Sequence, residues 1–327
     1  MVKVSIIIPV YNVALYIEKS LLSALNQTYS NIEYVIVDDC GKDDSMLIVN
    51  SIKNKFSEKE IKIVHHQQNR GLSAARNTGI MNASGEYIYI MDSDDAISRD
   101  CIQMHVDAIQ KYDADYTDAN IQVIGGRKSL FRKIKTEALI ENKQILISSF
   151  LGNIHIPAWN KLYKKEFITK NNIQSVEGLI HEDNVWTFDV AKNASKVVSI
   201  PDITYHYYIR ESSITTSVSV ENIIKRYNSW VYILNYISQL AQSMSDKESL
   251  RSLSMWMSKT RFKISAKLIS IDIDESIKIK YYKEINSNNL KMYSSGLYSL
   301  LCSMSYSKFK KIFTPLYKVF TKIKNNI

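Results

Sequence analysis

"EYIYIMDSDDAISRD", residues 86 to 100, decides how the rest of the chain is read. Its first half is a run of apolar and aromatic β-formers, the composition of a buried strand. The run ends on three carboxylates, Asp92, Asp94 and Asp95. Packing like charges this closely costs Coulomb energy, and protonation relieves it only by neutralising a group. A divalent cation relieves it while leaving the groups ionised. Oxygen-only ligands suit Mg2+ or Mn2+, and Mg2+ is usually held by one or two carboxylates together with substrate phosphates. The competing reading is that Asp94 and Asp95 cap a helix beginning near Ser98 or Arg99, since Asp is favoured there, and Asp95 is the best placed of the three to do so.

Working outward, three earlier runs share the strand texture: "VSIIIPV" (4–10), "IEYVIVDD" (32–39) and "IKIVHH" (61–66). Near-continuous apolarity predicts strands covered on both faces, as in a parallel sheet. Helical spacing over 15–26, 45–56, 72–81 and 100–112 fills the intervals, so strand and helix alternate and predict βαβ units in a doubly wound α/β sheet. Ligands of such sheets bind at the carboxyl ends of the strands. Three of the four runs end in polar clusters, "PVYN" (9–12), "DDCGKDD" (38–44) and "DSDD" (92–95), which are expected to converge on one crevice. From about residue 220 strand signals stop. The expected division is an α/β domain over 1–218 and a mainly helical region over 219–327.

A chain of 327 residues, 45% hydrophobic and 23% charged, is long enough for a sizeable core and is neither fibrous nor disordered. Cys40, Cys101 and Cys302 fit no metal-ligand spacing and no disulfide framework, so a reducing, cytoplasmic setting is expected. Neither a leader nor a run of about 18 apolar residues is read. The net charge of +9 is concentrated late: after Glu284 no acidic residue occurs, while Lys291, Lys308, Lys310, Lys311, Lys318, Lys322 and Lys324 do. In "SKFKKIFTPLYKVFTKIKNNI" (307–327) apolar residues recur at near-helical spacing among these lysines. That composition suits an interfacial segment attracted to anionic lipid, or a helix packed on its own domain with a solvated basic face. A nucleic-acid partner is not expected, because the charge is mostly tail and an acidic crevice repels phosphate backbone. No GxGxxG follows the first strand, which argues against a dinucleotide loop, and no Ser/His/Asp or Cys/His arrangement suggests a covalent nucleophile. His65 and His66 end a strand without a carboxylate at metal-site spacing and are read as structural.

Four motifs then occur in order: "PVYNVALYIEKSLLSALNQTY" (9–29), "IVDDCGKDDS" (36–45), "NRGLSAARNTGI" (69–80) and "GEYIYIMDSDD" (85–95). Together they resemble the family 2 glycosyltransferases of GT-A fold, inverting enzymes that use nucleotide-activated sugars, over about residues 3–215. The resemblance implies a Rossmann-like nucleotide-sugar-binding domain followed by the helical region. It implies that Pro9, Tyr11 and Asp39 line the nucleobase, with Asp39 accepting the uracil N3 proton that cytosine lacks. Here "DDCGKDD" stands where the family commonly has "DDGSTDD", so Cys40 and Gly41 leave the path of that loop open, and Asp43 or Asp44 is expected to serve the turn and helix start. Asn69, Arg70, Gly71 and Arg76 resemble the segment that meets the nucleotide and its phosphates, although Arg76 falls inside a helix, where a solvated surface arginine is the alternative.

By the same resemblance Asp92, with Ser93 beside it, meets the ribose, and Asp94 binds Mn2+ or Mg2+ bridging the diphosphate. "GLIHEDNVWTF" (178–188) resembles the acidic motif whose aspartate, here Asp183, is the general base, with Glu182 as orienting neighbour or second base; Glu-Asp is also an ordinary helix start. "AWNKLYKKEFI" (158–168) resembles a stretch beside the sugars, where Trp159 either stacks on a sugar face or belongs to the core, and Asn160 and Lys161 reach hydroxyls. "YHYYIRESSITTS" (205–217) resembles a closing segment in which His206 meets the metal and Arg210 and Ser213 the phosphates.

The implied activity is transfer of a hexose or N-acetylhexosamine from a UDP-sugar to a glycan or lipid-linked saccharide in bacterial capsule, exopolysaccharide or lipooligosaccharide synthesis. The alternative is a catalytically inactive nucleotide-sugar-binding homologue acting as a scaffold. Peripheral contact of the tail with the inner face of an anionic membrane, and a homo-oligomer, stay open.

Overall fold

The computed structural model describes residues 1–125, 131–209, 219–287 and 297–325. Two compact units divide the chain, Met1–Thr216 and Ser217–Ile327. The first unit begins β1 (Val4–Val10), α1 (Ile17–Leu25), β2 (Ile32–Asp38), α2 (Ser45–Lys55), β3 (Glu60–His65), α3 (Leu72–Asn82) and β4 (Tyr87–Ile90). It continues with β5 (Ala96–Ile97), α4 (Cys101–Tyr112), β6 (Tyr116–Ile124), β7 (Ala138–Glu141), α5 (Lys143–Leu151), β8 (Leu162–Lys164), α6 (Lys165–Lys170), α7 (Asp183–Asn193) and β9 (Lys196–Tyr208).

Among the described residues the nine strands form one sheet, ordered β3-β2-β1-β4-β8-β6-β9-β5, with β7 on β9. The expected parallel sheet holds for β3, β2, β1 and β4. Beyond β4 the sheet is mixed: β8 runs antiparallel to β4 and β6, while β6 and β9 are parallel. Burial explains the runs that sequence alone exposes, since every residue of β1 and β4 is buried. It also explains those it hides. β6 carries Thr117, Asp118 and Asn120, all buried, which break the apolar signal. β9 carries Pro201 and Asp202, which fall in a register shift against β6 between Ala119 and Asn120. Pro cannot donate to a ladder, and Asn120 Nδ2 fills the gap by donating to Pro201 O at 2.6 Å.

Two features fasten the parallel half. On its α3 side, Gly79 lies so close to β1 that a Cβ would stand 2.3 Å from Ile7 Cγ2, so no larger residue lets α3 sit there. At the amino ends of the strands, buried Glu33 of β2 accepts from Ser5 Oγ, from Ser84 N and Oγ, and from Gly85 N. Burial opposes its charge, yet these hydrogen bonds outweigh it and hold the carboxyl down to about 2.

The second unit is helical: α8 (Val220–Gln242), α9 (Lys247–Ser270), α10 (Glu275–Ser287), α11 (Leu297–Cys302) and α12 (Tyr306–Asn325). Phe262 of α9 meets Tyr298 of α11 at 5.2 Å and Phe309 and Phe313 of α12 at 6.0 and 5.1 Å between ring centroids. Phe309 is fully buried, so the first half of α12 packs within its own unit. Among the described residues no helix is long and apolar enough to cross a membrane.

Candidate active site

The loops after β1 and β2 are stitched together at the carboxyl end of the sheet. Asn12, itself at φ 51°, accepts from the Lys42 N–H at 2.8 Å, and Asp43 accepts from the Ala14 N–H at 2.8 Å and from the Ser45 N–H at 3.1 Å. Asp43 therefore serves the turn, whereas Asp44, at the start of α2, makes no side-chain cap. Cys40 sits at φ 59°, the left-handed conformation that glycine favours, and a Cβ on Gly41 would come within 3.1 Å of Asn12 N. The loop keeps a glycine-like path at position 40 although the residue there is cysteine.

Asp39 is buried at the tip of β2, where one oxygen accepts from the Arg70 N–H and the other from the Gly71 N–H, both at 2.8 Å. His66 Nδ1 lies 2.7 Å from Asp39, and its Nε2 faces Thr78 at 2.9 Å. His65 pairs likewise with Asp38 at 2.9 Å. Both histidines thus have carboxylate partners that spacing along the chain conceals, because Asp38 and His65 are register partners on neighbouring strands. Pro9 is buried in β1, while Tyr11 and Asn69 are exposed.

Asp92, Asp94 and Asp95 follow β4, and each offers an oxygen within 4.8 Å of the others. Asp95 is buried and is not a helix cap: α4 starts at Cys101, and its cap position is Asp100. Instead Asp95 accepts from Tyr205 Oη at 2.8 Å and from the Tyr208 N–H at 2.9 Å, which ties the cluster to β9. The same phenol accepts from the Asp92 N–H at 3.2 Å. Burial, with the charges of Asp94 and Asp92, drives the Asp95 carboxyl well above the usual range. A crowded, all-oxygen donor set that protonation relieves at the expense of charge fits a hard divalent cation. Ser93 is buried between its neighbours.

His206 is the β-bridge partner of Ala96, but its Nδ1 lies 3.0 Å from Gln122 Oε1 and it does not join the three aspartates. Burial, with Lys19 nearby, lowers its pKa. Arg210 and Ser213 lie outside the described residues.

Arg76 departs from both of its sequence readings. Neither solvated nor open to a ligand, its side chain is 1% exposed and is held by three carboxylates: Asp92 at 2.9 Å, Glu182 at 2.7 Å and Asp183 at 3.1 Å. Burial opposes its charge, but these partners outweigh it and raise its pKa. Glu182 and Asp183 begin α7, as a helix start would. Asp183 also accepts from the Ala158 N–H at 3.1 Å. Burial and the Asp183 charge push the Glu182 carboxyl up, against the pull of Arg76.

The 158–161 stretch proves to be core. Trp159 stacks on Tyr205 at 4.3 Å and is buried, so its face is taken by protein. Buried Asn160 accepts from Thr204 Oγ1 at 2.7 Å and from Tyr89 Oη at 3.1 Å. Lys161 Nζ is 3.3 Å from Asp118 and donates to Pro157 O. Asp118 further accepts from the His155 N–H at 3.0 Å and from His155 Nδ1 at 3.2 Å, while His155 Nε2 donates to Arg132 O. With acceptors at both ring nitrogens, His155 is satisfied as an imidazolium, and its pKa is raised by Asp118 against the opposing effect of burial. This buried knot fixes the segment whose Ala158 N–H reaches Asp183. Sequence reasoning missed Asp118, His155 and Tyr205 because their partners are distant in the chain.

A mixed α/β sheet carrying a carboxylate cluster after its fourth strand, with a second carboxylate pair tied to it through an arginine, has the GT-A architecture of a glycosyltransferase. The family model described as glycosyl transferase family 2 matches residues 5–170. The chain belongs to that family. Glycosyltransferase GlyA of Streptococcus pneumoniae is 34% identical over 225 residues, 65% of this chain but only 31% of that protein, so this chain spans about a third of that relative's length. Staphylococcus aureus TarS 1–349 in complex with UDP-GlcNAc superposes with a TM-score of 0.75 at 20% identity, covering 98% of this chain and 92% of that one. The mannosyltransferase PcManGT of Pyrobaculum calidifontis, in complex with GDP-Man and Mn2+, gives 0.59 at 14% identity, covering 99% and 84%.

Proposed function

We propose that the chain catalyses the metal-dependent, inverting transfer of a hexose or N-acetylhexosamine from a UDP-sugar to a hydroxyl of a glycan or lipid-linked saccharide, in bacterial surface-polysaccharide synthesis. The observation that carries this reading is that one buried arginine joins Asp92, a member of the Asp92, Asp94 and Asp95 cluster, to Glu182 and Asp183. An inverting displacement needs those two acidic functions, one to hold the leaving diphosphate through a cation and one to take the acceptor proton. TarS, bound to UDP-GlcNAc, supports a uridine donor, and the Mn2+ of PcManGT supports a metal.

Pro9 and Tyr11 border the nucleobase, Asn69 meets the nucleotide, and Asp39 orders the 70–71 turn with two N–H contacts while keeping acceptor capacity for the uracil imide. Asp92 meets the ribose and Asp94 the metal, with Asp95 anchoring the cluster to Tyr205. When bound, the cation offsets negative charge on the leaving diphosphate. His206, Arg210 and Ser213 complete the phosphate side. Asp183 is the base: its side chain is 24% exposed against 8% for Glu182, and one of its oxygens is oriented by Arg76 and Ala158. The first unit holds this chemistry, and the basic end of the second rests on anionic lipid at the cytoplasmic face of the membrane.

A thermal-shift screen of UDP-, GDP- and dTDP-sugars with Mn2+ or Mg2+ tests the reading, because a ligand that binds only the folded state raises its melting temperature. Uridine nucleotides with metal are expected to give the largest shift, and Asp94→Ala to remove its metal dependence. A chain that responds to no nucleotide under any metal condition would sink the proposal.

A further inference from the structure

We propose that Arg76 is a positioning residue: it sets the distance between the donor-side aspartate Asp92 and the base Asp183, and it does not bind the diphosphate. This rests on the transferase reading of the site above. The guanidinium spreads two nitrogens over three carboxylates, Nη1 to Glu182 and Asp183 and Nη2 to Asp92. Its Nε is buried without a partner. At 1% exposure the side chain leaves no surface for a phosphate to reach. Only a planar fork spans three acceptors in this way; an ammonium is a point charge on one nitrogen.

Arg76 works from a rigid mount. α3 lies flat on the sheet, because the contact of Gly79 with Ile7 allows no side chain between them. The turn that leads into it is tied to Asp39 through the Arg70 and Gly71 N–H groups. The helix and the turn before it each grip the segment leading to the base at one further point. Asn77 donates to Ser175 O at 2.8 Å and accepts from the Ser175 N–H at 2.9 Å. Arg70 pairs with Glu177 at 3.0 Å. From its nucleobase end to its middle, α3 thus acts as a gauge on which segment 175–183 is hung, so that Asp183 is registered against the donor rather than against its own loop.

The test uses the full chain and the variant Arg76→Lys, which keeps the charge and loses the fork. Three quantities are read: the Kd of UDP with Mn2+ by calorimetry, steady-state hydrolysis of UDP-GlcNAc, and amide hydrogen exchange over 174–183. Positioning predicts a UDP Kd within about threefold of wild type, with hydrolysis at saturating donor falling at least 50-fold at nearly unchanged KM. Exchange over 174–183 should quicken while that of β1 stays the same. If Arg76→Lys does not fold, Asn77→Ala carries the same prediction with a smaller fall in turnover. A tenfold or greater loss of UDP affinity in Arg76→Lys would make Arg76 a phosphate ligand and overturn the inference, as would unchanged exchange over 174–183. A wild-type chain that neither binds UDP nor hydrolyses the donor would instead remove the transferase reading, and the exchange measurement would still decide whether α3 holds the segment.

Discussion

At the scale of single residues, the site is a set of acidic groups given different work by their neighbours. Asp183 has one oxygen held by Arg76 and by the Ala158 N–H, a geometry that orients the carboxylate without burying it. Asp183→Asn keeps that shape but has no basic oxygen pair, so UDP binding should be retained while transfer falls roughly 10²–10⁴-fold. Transfer rates near wild type, measured with a donor that still binds, would assign the base elsewhere. Tyr205 is the other lever, since its hydroxyl donates to Asp95 and accepts from the Asp92 N–H. Tyr205→Phe leaves a buried carboxylate short of a donor and should cost about 1–3 kcal/mol in denaturant unfolding, with weaker Mn2+-dependent stabilisation by UDP. A stability equal to wild type would show that Asp95 finds another donor. The identities of these acidic residues were legible in short motifs; their partners were not. Arg76 meets Glu182 across 106 residues, and nothing local marks Trp159 as a ring stacked on Tyr205 rather than an exposed platform. 

At the scale of elements, β1, β2 and β4 were readable because each is short, apolar and followed by polar residues, and the helices between them because their period differs; β3, at the sheet edge, buries only Ile61 and is not covered on both faces as its run suggests. The other half of the sheet was not. β6 and β9 pass through buried polar residues that are acceptable only because partners far along the chain satisfy them, as Asn120 is satisfied by the 134 and 201 carbonyls. One buried polar group governs how well the readable half holds together. Glu33 joins β2 to β1 and to the turn before β4, at the end of the sheet opposite the site. Its carboxyl is held down to about 2 from an ordinary 4.5. The sign follows: the unfolded chain binds this proton more readily, so the stabilisation is complete above about pH 4.5 and is lost as pH falls toward 2. Glu33→Gln should lower stability at pH 7 by on the order of 2 kcal/mol and flatten the acid limb of the stability curve. Chemical denaturation at pH 7 and pH 3 measures both, and parallel pH curves for the two proteins would show that Glu33 is not the group responsible.

At the scale of the whole molecule, charge and chemistry are separated along the chain: the acidic site lies in Met1–Thr216, and the lysines that follow Glu284 lie in Ser217–Ile327. The second unit uses part of α12 for itself. Phe309 and Phe313 close over Phe262, which accounts for two of the apolar positions in the tail by packing within the unit. Other apolar side chains there face solvent, with Leu297, Leu300 and Ile312 exposed, and Lys308 and Lys311 are exposed on the same pair of helices. Because Tyr298 of α11 and Phe313 of α12 both meet Phe262, these helices are neighbours, and their solvent side offers apolar and cationic groups together. A bilayer surface of anionic lipid accommodates both kinds of group, whereas a purely electrostatic partner makes no use of the leucines. Replacing Lys308, Lys311, Lys318 and Lys322 with Gln removes four charges, each worth about 1 kcal/mol near such a surface, and leaves the Phe262 cluster intact. Sedimentation with phosphatidylglycerol vesicles should fall at least tenfold in this variant, while wild-type binding should weaken at 0.5 M salt and be weak on phosphatidylcholine. Equal sedimentation of wild type and variant, with equal melting temperatures, would remove the membrane from the account of this chain.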